Sequence, residues 1–315
     1  MDSMFKFNLE NTKIEFFKNK SVKEKNYLKT DIFYVNDYSF EENNGVDADK
    51  YLYKNVFFLK RLFLSQNEKY LLKSITLINE EKFDEALSII KNHNKDGNYL
   101  IDIYFVLLLL DPDRPDKKDI LNKIIADIDL LGDFLKKYKI GISIQFSLSD
   151  HIFMRFRGNR AVMLLYLVFN QFRYGHPKEA LEILLKIEEE NDKNNPLIDL
   201  LLGELFIKTG QLDKAIILLQ NIKASNIICI YSLLLLGKAF RKMGLLKSSI
   251  AVLRKTRRRS SRYPNKLNLE GRYQLAISLE KYNKSFLAKK EYEKILTTSY
   301  NYKDTKKRLY SLKNI

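Results

Sequence analysis

The sequence predicts an all-α protein: a helical-hairpin repeat solenoid with an additional helical region before it. Three observations carry that expectation. Gly203 recurs as Gly237 and Gly210 as Gly244, each 34 residues later, with apolar residues in phase around them. Only 5 prolines occur in 315 residues, 45% of which are hydrophobic, which supplies an extended core but too few turn residues for an all-β chain. The longest apolar runs, residues 103–110, 161–169 and 227–236, reach about ten residues against the ~18 that span a bilayer, so they read as buried helices.

Residues 1–50 mix Lys, Asn, Glu and scattered aromatics without a sustained period, and Glu41, Glu42, Asn43, Asn44 and Gly45 form a loop signal. This stretch is expected to be an arm, partly disordered. Residues 51–150 return to helical patterns at 56–64, 70–78, 83–92, 99–110 and 117–138, the last interrupted by Gly132. Residues 141–148, Gly-Ile-Ser-Ile-Gln-Phe-Ser-Leu, alternate apolar with polar; a short strand and an extended connector both fit, and the segment reads as a break before the repeats. Clusters at 111–116 and 191–196 mark further loops. Residues 161–300 are expected to hold the repeat array, and 301–315 a capping helix or a basic tail in which Leu309 and Leu312 follow Tyr302.

The repeat units align as Pro196 to Gln220 with Ile230 to Arg254. In each, a Leu-Gly pair (Leu202-Gly203, Leu236-Gly237) is followed three residues on by Phe206 or Phe240, then by the turn glycine, and the second helix opens at Leu212 or Leu246 with Leu219 or Leu253 further along. With five extra residues, Leu275, Ala276, Leu279, Asn283, Ala288, Tyr292 and Ile295 make a third unit. Leu167, Gly175, Pro177, Ala180, Leu184 and Ile187 make a fourth, degraded one, and residues 83–87 read like the opening of a second helix in a weaker unit that begins near 67. The pattern resembles the tetratricopeptide repeat, clearest over 161–296. A small residue lets two helices approach, an aromatic fills the space beside it, and the turn glycine takes a backbone conformation that other residues reach at a cost.

The resemblance implies that the first helix of each hairpin lines a concave groove, with Glu204, Ile207 and Lys208, then Lys238, Arg241 and Lys242, then Ile277, Glu280 and Lys281 facing it. A positive middle step would suit an acidic segment or a C-terminal carboxylate. Leu201 and Glu204 stand where a chaperone-tail clamp would need asparagine, which argues against that subfamily.

Charge is the second informative feature. The chain carries +16 overall, yet residues 238–315 hold 22 Lys and Arg against 5 Asp and Glu, so the whole excess is C-terminal. Its densest part comprises Arg254, Lys255, Arg257, Arg258, Arg259, Arg262 and Lys266. Cations at a helix C-terminus meet the negative end of its dipole, a bland use that is worth only tenths of a kcal/mol each. Seven cations without a counterion exceed that need and form a candidate surface for an anionic partner. Tyr263 and Tyr273 are the main aromatics near it, and neither a helix-turn-helix pattern nor zinc-finger spacing accompanies it.

Signals for catalysis are weak. His93, His151 and His176 lack metal-ligand spacing. Asp111, Asp113, Asp116 and Asp119 invite comparison with a calcium loop, but Arg114 and Pro115 fill its middle, Asp116 stands where glycine is needed and Asn122 closes it. Neither a phosphate-binding glycine loop nor a nucleophile elbow occurs. Cys229, the only cysteine, lies in an apolar stretch and reads as a core residue. With Asp2, Lys6, Glu10 and Lys13 interrupting its start, the chain shows no secretory signal and is expected to be cytoplasmic.

These readings converge on a non-enzymatic scaffold or adaptor, without cofactor, that takes a protein or peptide partner of acidic character. Two alternatives stand beside it: a nucleic-acid-associated protein that uses its basic C-terminal third, and a protein bound peripherally to an anionic membrane surface.

Overall fold

The computed structural model describes residues 8–18, 29–34, 64–92, 101–111, 114–138, 140–149, 152–158, 160–190, 195–223, 227–260 and 265–313. The Glu41 to Gly45 loop signal, the helical pattern at 56–64 except its last residue, His93, His151, Arg262 and Tyr263 lie outside the described residues. Two compact units result: Met1–His176 with Lys186–Asp192, and Pro177–Leu185 with Lys193–Ile315.

The first unit combines helices with a sheet. Strands β1 (Asn8–Lys18), β2 (Lys29–Tyr34), β3 (Ile140–Ser149) and β4 (Ile152–Gly158) form an antiparallel sheet in the order β1-β3-β4-β2. Of the two readings open for residues 141–148, the strand is the one found. The sheet is an addition to the expected helical organisation, and two of its strands come from the N-terminal arm. In β3, Ile140, Ile142 and Ile144 lie on one face and are at most 2% exposed. The central pairing sets Ile144 opposite Phe156, and β1 sets Ile14 opposite Ile144.

The helices of this unit are α1 (Gln66–Asn79), α2 (Phe83–Asn92), α3 (Ile101–Leu110), α4 (Lys117–Ala126), α5 (Asp133–Lys137) and α6 (Arg160–Arg173), of which α1, α5 and α6 pack on the sheet. Helix α1 starts on a reciprocal cap in which the Ser65 hydroxyl accepts from the Glu68 N–H and the Glu68 carboxylate accepts from the Ser65 N–H. Helix α3 is apolar on all sides and accordingly buried on all sides. Its one carboxylate, Asp102, accepts hydrogen bonds from the Gly132 and Phe134 N–H groups at 2.7 and 3.0 Å and so caps α5. Arg160 donates to the carbonyls of Ile128, Asp129 and Leu131 and pairs with Glu190.

Helix α7 (Pro177–Glu190) opens with proline, as expected. Beyond it the second unit consists of α8 (Pro196–Lys208), α9 (Leu212–Asn221), α10 (Ile227–Lys242), α11 (Leu246–Ser260), α12 (Asn265–Lys281), α13 (Ser285–Thr298) and α14 (Thr305–Lys313). They pair in sequence order as hairpins α8–α9, α10–α11 and α12–α13. The turns are one motif repeated. Gly210, Gly244 and Asn283 take φ of 85°, 80° and 55°, and in each turn a backbone N–H reaches back five residues: Gln211 to Phe206, Leu245 to Phe240, Lys284 to Leu279. The same bond closes the α1–α2 turn, from Lys82 to Leu77, and the turn after α6, from His176 to Gln171.

Gly203 and Gly237 occupy the close approach inside their hairpins. A Cβ on Gly203 would stand 2.5 Å from Leu219 Cδ2, and one on Gly237 2.5 Å from Leu253 Cγ. Ala215, Ala239, Ala276 and Ala288 are completely buried, as are Tyr292 and Ile295. The helical-hairpin solenoid expected for the repeats is therefore the architecture of this unit.

Candidate functional site

Four of the residues expected to line the groove, Glu204, Lys238, Arg241 and Lys242, are held by the fold itself. Glu204 is 4% exposed. Lys238 faces Glu270 at 3.6 Å. Arg241 donates to the Gln274 carbonyl, to its side-chain oxygen at 2.6 Å and to the Ser278 hydroxyl. Lys242 Nζ donates to the Ile207 carbonyl at 3.0 Å. The positive middle step is thus engaged between successive first helices. Lys208 is partly exposed and Lys281 exposed.

Glu270, a residue the sequence reading did not single out, organises this network. Its carboxylate accepts from Gln274 Nε2 at 2.8 Å, Tyr302 Oη at 2.7 Å and Lys303 Nζ at 2.6 Å, besides facing Lys238. Burial alone would raise its pKa; Lys238 and then Lys303 outweigh burial and hold the carboxyl well below its ordinary range. Burial pushes the Lys238 ammonium down, while Glu270 and Glu204 pull it back up. Arg308 Nη1 contacts Glu280 at 3.2 Å, and Tyr273 donates to Asp304. Through these bonds residues 302–308 are tied to α12, and Leu309 is buried at 8% exposure. A lone Glu in an acid-poor region was the available sequence signal, but its partners lie 32 and 33 residues away.

The basic cluster divides by helix face. Helix α11 runs through Arg257, Arg258 and Arg259 and ends at Ser260, with no breaker before it. Arg257 pairs with Glu291, which also pairs with Arg272 at 2.9 Å. Arg254, Lys255, Arg258 and Arg259 are exposed, with Arg259 donating to Cys229 Sγ at 2.8 Å. Lys266 lies in the first turn of α12. Cys229 itself is half-buried.

A further surface lies at the hairpin turns. Arg241 bonds α10 to α12 and Lys242 bonds α10 to α8, both near the C-terminal ends of these helices, so the three following turns lie along one edge. On or next to that edge, Met243 (39%), Leu245 (47%), Phe286 (68%) and Leu287 (37%) are exposed large hydrophobics. Exposed Lys242, Lys247, Lys284 and Lys290 flank them, and Lys290 Nζ lies 4.3 Å from the centre of the Phe286 ring. Sequence reading missed this row because single surface apolar residues are ordinary, and only the fold lines them up.

No group of His, Cys, Asp or Glu able to hold a metal ion occurs among the described residues, and in the former calcium-loop candidate Asp116 pairs with Arg114. No described helix is long and apolar enough to cross a membrane.

The C-terminal array has a tetratricopeptide-like helical-repeat fold. No protein-family model matches the sequence, and no curated protein matches it. Among solved structures the chain is similar to the hetero-tetramer Cut9-Hcn1 of the APC/C, with a TM-score of 0.45 at 14% identity, covering 86% of this chain and 50% of that one. It is similar to a thermophilic TPR protein, TTC0263 of Thermus thermophilus, with a TM-score of 0.42 at 15% identity, covering 79% of this chain and all of that one. A third likeness is to MamA of Desulfovibrio magneticus RS-1, with a TM-score of 0.41 at 15% identity over 48% of this chain and 82% of that one. Likenesses of this size carry nothing about partner or activity.

Proposed function

We propose that the protein is a non-enzymatic scaffold whose C-terminal hairpin array holds another protein through a short segment that is apolar on one side and acidic on the other. One observation carries this reading: Met243, Leu245, Phe286 and Leu287 stand exposed at neighbouring hairpin turns, with lysines around them. Apolar anchors set within a polar rim are the usual make-up of a protein-binding patch. Burying them against a partner gains roughly 25 cal/mol per Å² of apolar surface, and the lysines select acidic flanks and speed encounter.

The array suits this use because each hairpin is fixed by its neighbours. The ties of Arg241 to α12 and of Lys242 to α8 hold successive turns at a constant offset, so a partner would meet a preformed row rather than one it must order on binding. Of the groove positions first expected to bind, Lys238, Arg241 and Lys242 contribute to this stiffness.

Photo-crosslinking tests the reading. A photoreactive phenylalanine analogue at position 286 should capture a defined set of partners in cells, whereas the same analogue at exposed Thr297, near the other end of α13, should not. Equal capture from both positions would remove the proposed docking row.

A further inference from the structure

Between Asp213 and Glu270 lie 56 residues with thirteen Lys and Arg and no Asp or Glu. Eight of these cations fall into two groups in the fold. Lys238, Arg241, Lys242 and Arg257 are engaged with Glu270, with Gln274 and Ser278, with the Ile207 carbonyl and with Glu291. Arg254, Lys255, Arg258 and Arg259 are exposed on α11. Arg254 and Arg258 are one turn apart, as are Lys255 and Arg259, and at 1.5 Å per residue the four cations run about 7.5 Å along the helix. Arg254 and Lys255 have no carboxylate within ion-pair distance among the described residues.

This face differs in kind from the turn edge. None of the exposed large hydrophobics falls within α11. A protein interface depends on a desolvated apolar or aromatic centre, and insertion into a bilayer surface needs apolar side chains beside the cations. Neither is offered here. A row of cations alone, three of the four being arginines whose planar guanidinium matches phosphate oxygens, fits a ligand whose own charge is dense and regularly spaced. The helix dipole places only about half a negative charge at this end, against the cations of the last two turns.

We infer that the outward face of α11 binds the phosphate backbone of nucleic acid, independently of sequence and separately from the protein-docking edge. The contact is electrostatic, and its signature is the release of counterions.

Anisotropy titrations of the full chain with a labelled oligouridine, across a range of salt concentrations, test this. The quadruple variant Arg254→Gln, Lys255→Gln, Arg258→Gln, Arg259→Gln should reduce the slope of log K against log salt by about 3, since each phosphate contact on a single strand contributes ~0.7. Arg254→Lys with Arg258→Lys and Arg259→Lys should keep most of the slope. Single Lys255→Glu, at an exposed site, should reduce it by at least ~0.7, so the test survives if the quadruple variant loses its helix content. Three outcomes would each overturn the inference: no binding of oligouridine by wild type, an equal slope in wild type and Lys255→Glu, or tighter binding of polyglutamate or phosphatidylserine vesicles than of oligouridine.

Discussion

Gly237 on α10 and Leu253 on α11 meet so closely that a single added carbon on the glycine would stand 2.5 Å from Leu253 Cγ. Leu253 is itself completely buried, so its side chain has little room to yield. Gly237→Leu should therefore destabilise the protein by about 1–3 kcal/mol through overpacking, with the loss centred on the α10–α11 hairpin and its neighbours. Thermal melts of Gly237→Leu and of exposed Lys284→Leu check this. Equal melting temperatures for Gly237→Leu and wild type would contradict the repeat register.

That contact was legible from spacing alone, because a 34-residue recurrence of small and apolar residues has few other physical causes. Much of the rest was not. Strand β1 pairs with β3 across more than a hundred residues, for example Phe16 with Ile142, and no local pattern in the arm names such a partner. The groove charges were assigned by analogy, and sequence does not show that Lys238 would meet Glu270 or Arg241 meet Gln274, since those contacts join different repeats.

Glu270 holds a buried polar centre together, and its removal should be strongly destabilising. Glu270→Leu leaves Lys238 without its carboxylate, and roughly 3–5 kcal/mol is the usual loss when one member of a buried pair is removed. Adding Lys238→Met should restore a good part of it, because Lys238 is then no longer left without the Glu270 carboxylate. Denaturant titration of the two variants measures the recovery; a double variant as unstable as Glu270→Leu would show that the pair is incidental.

Asp102 should give the stability a distinctive pH dependence. Burial raises its carboxyl from 3.8 to about 6, against the pull of the Gly132 and Phe134 N–H groups. Its folded-state pKa thus lies above the unfolded one, so the folded protein binds more protons between about pH 4 and 6. The contribution of this group is greatest below that window and declines as pH rises through it. Asp102→Asn lacks this titration. The stability of wild type minus that of Asp102→Asn should therefore fall from about pH 4 to 6, and a difference that is constant or rises would contradict the assignment.

Deleting residues 301–315 takes Tyr302 and Lys303 from Glu270 and Arg308 from Glu280. The truncated chain should melt lower and lose solubility, because Tyr273 and Tyr292 gain exposure together with two carboxylates that each lose part of their hydrogen bonding. An unchanged melting curve would show that the C-terminal segment contributes nothing to the array.

The scaffold reading meets its most direct test in a quantitative pull-down at low and moderate ionic strength. Wild type is compared with Leu245→Ser/Phe286→Ser, whose two exposed sites make the exchange neutral for folding. Proteins docked on the turn edge should be retained by wild type at both ionic strengths and lost from the variant at both, since their apolar anchors resist salt. A set of bound proteins identical for wild type and variant would contradict the claim that this edge is where the protein holds its partner.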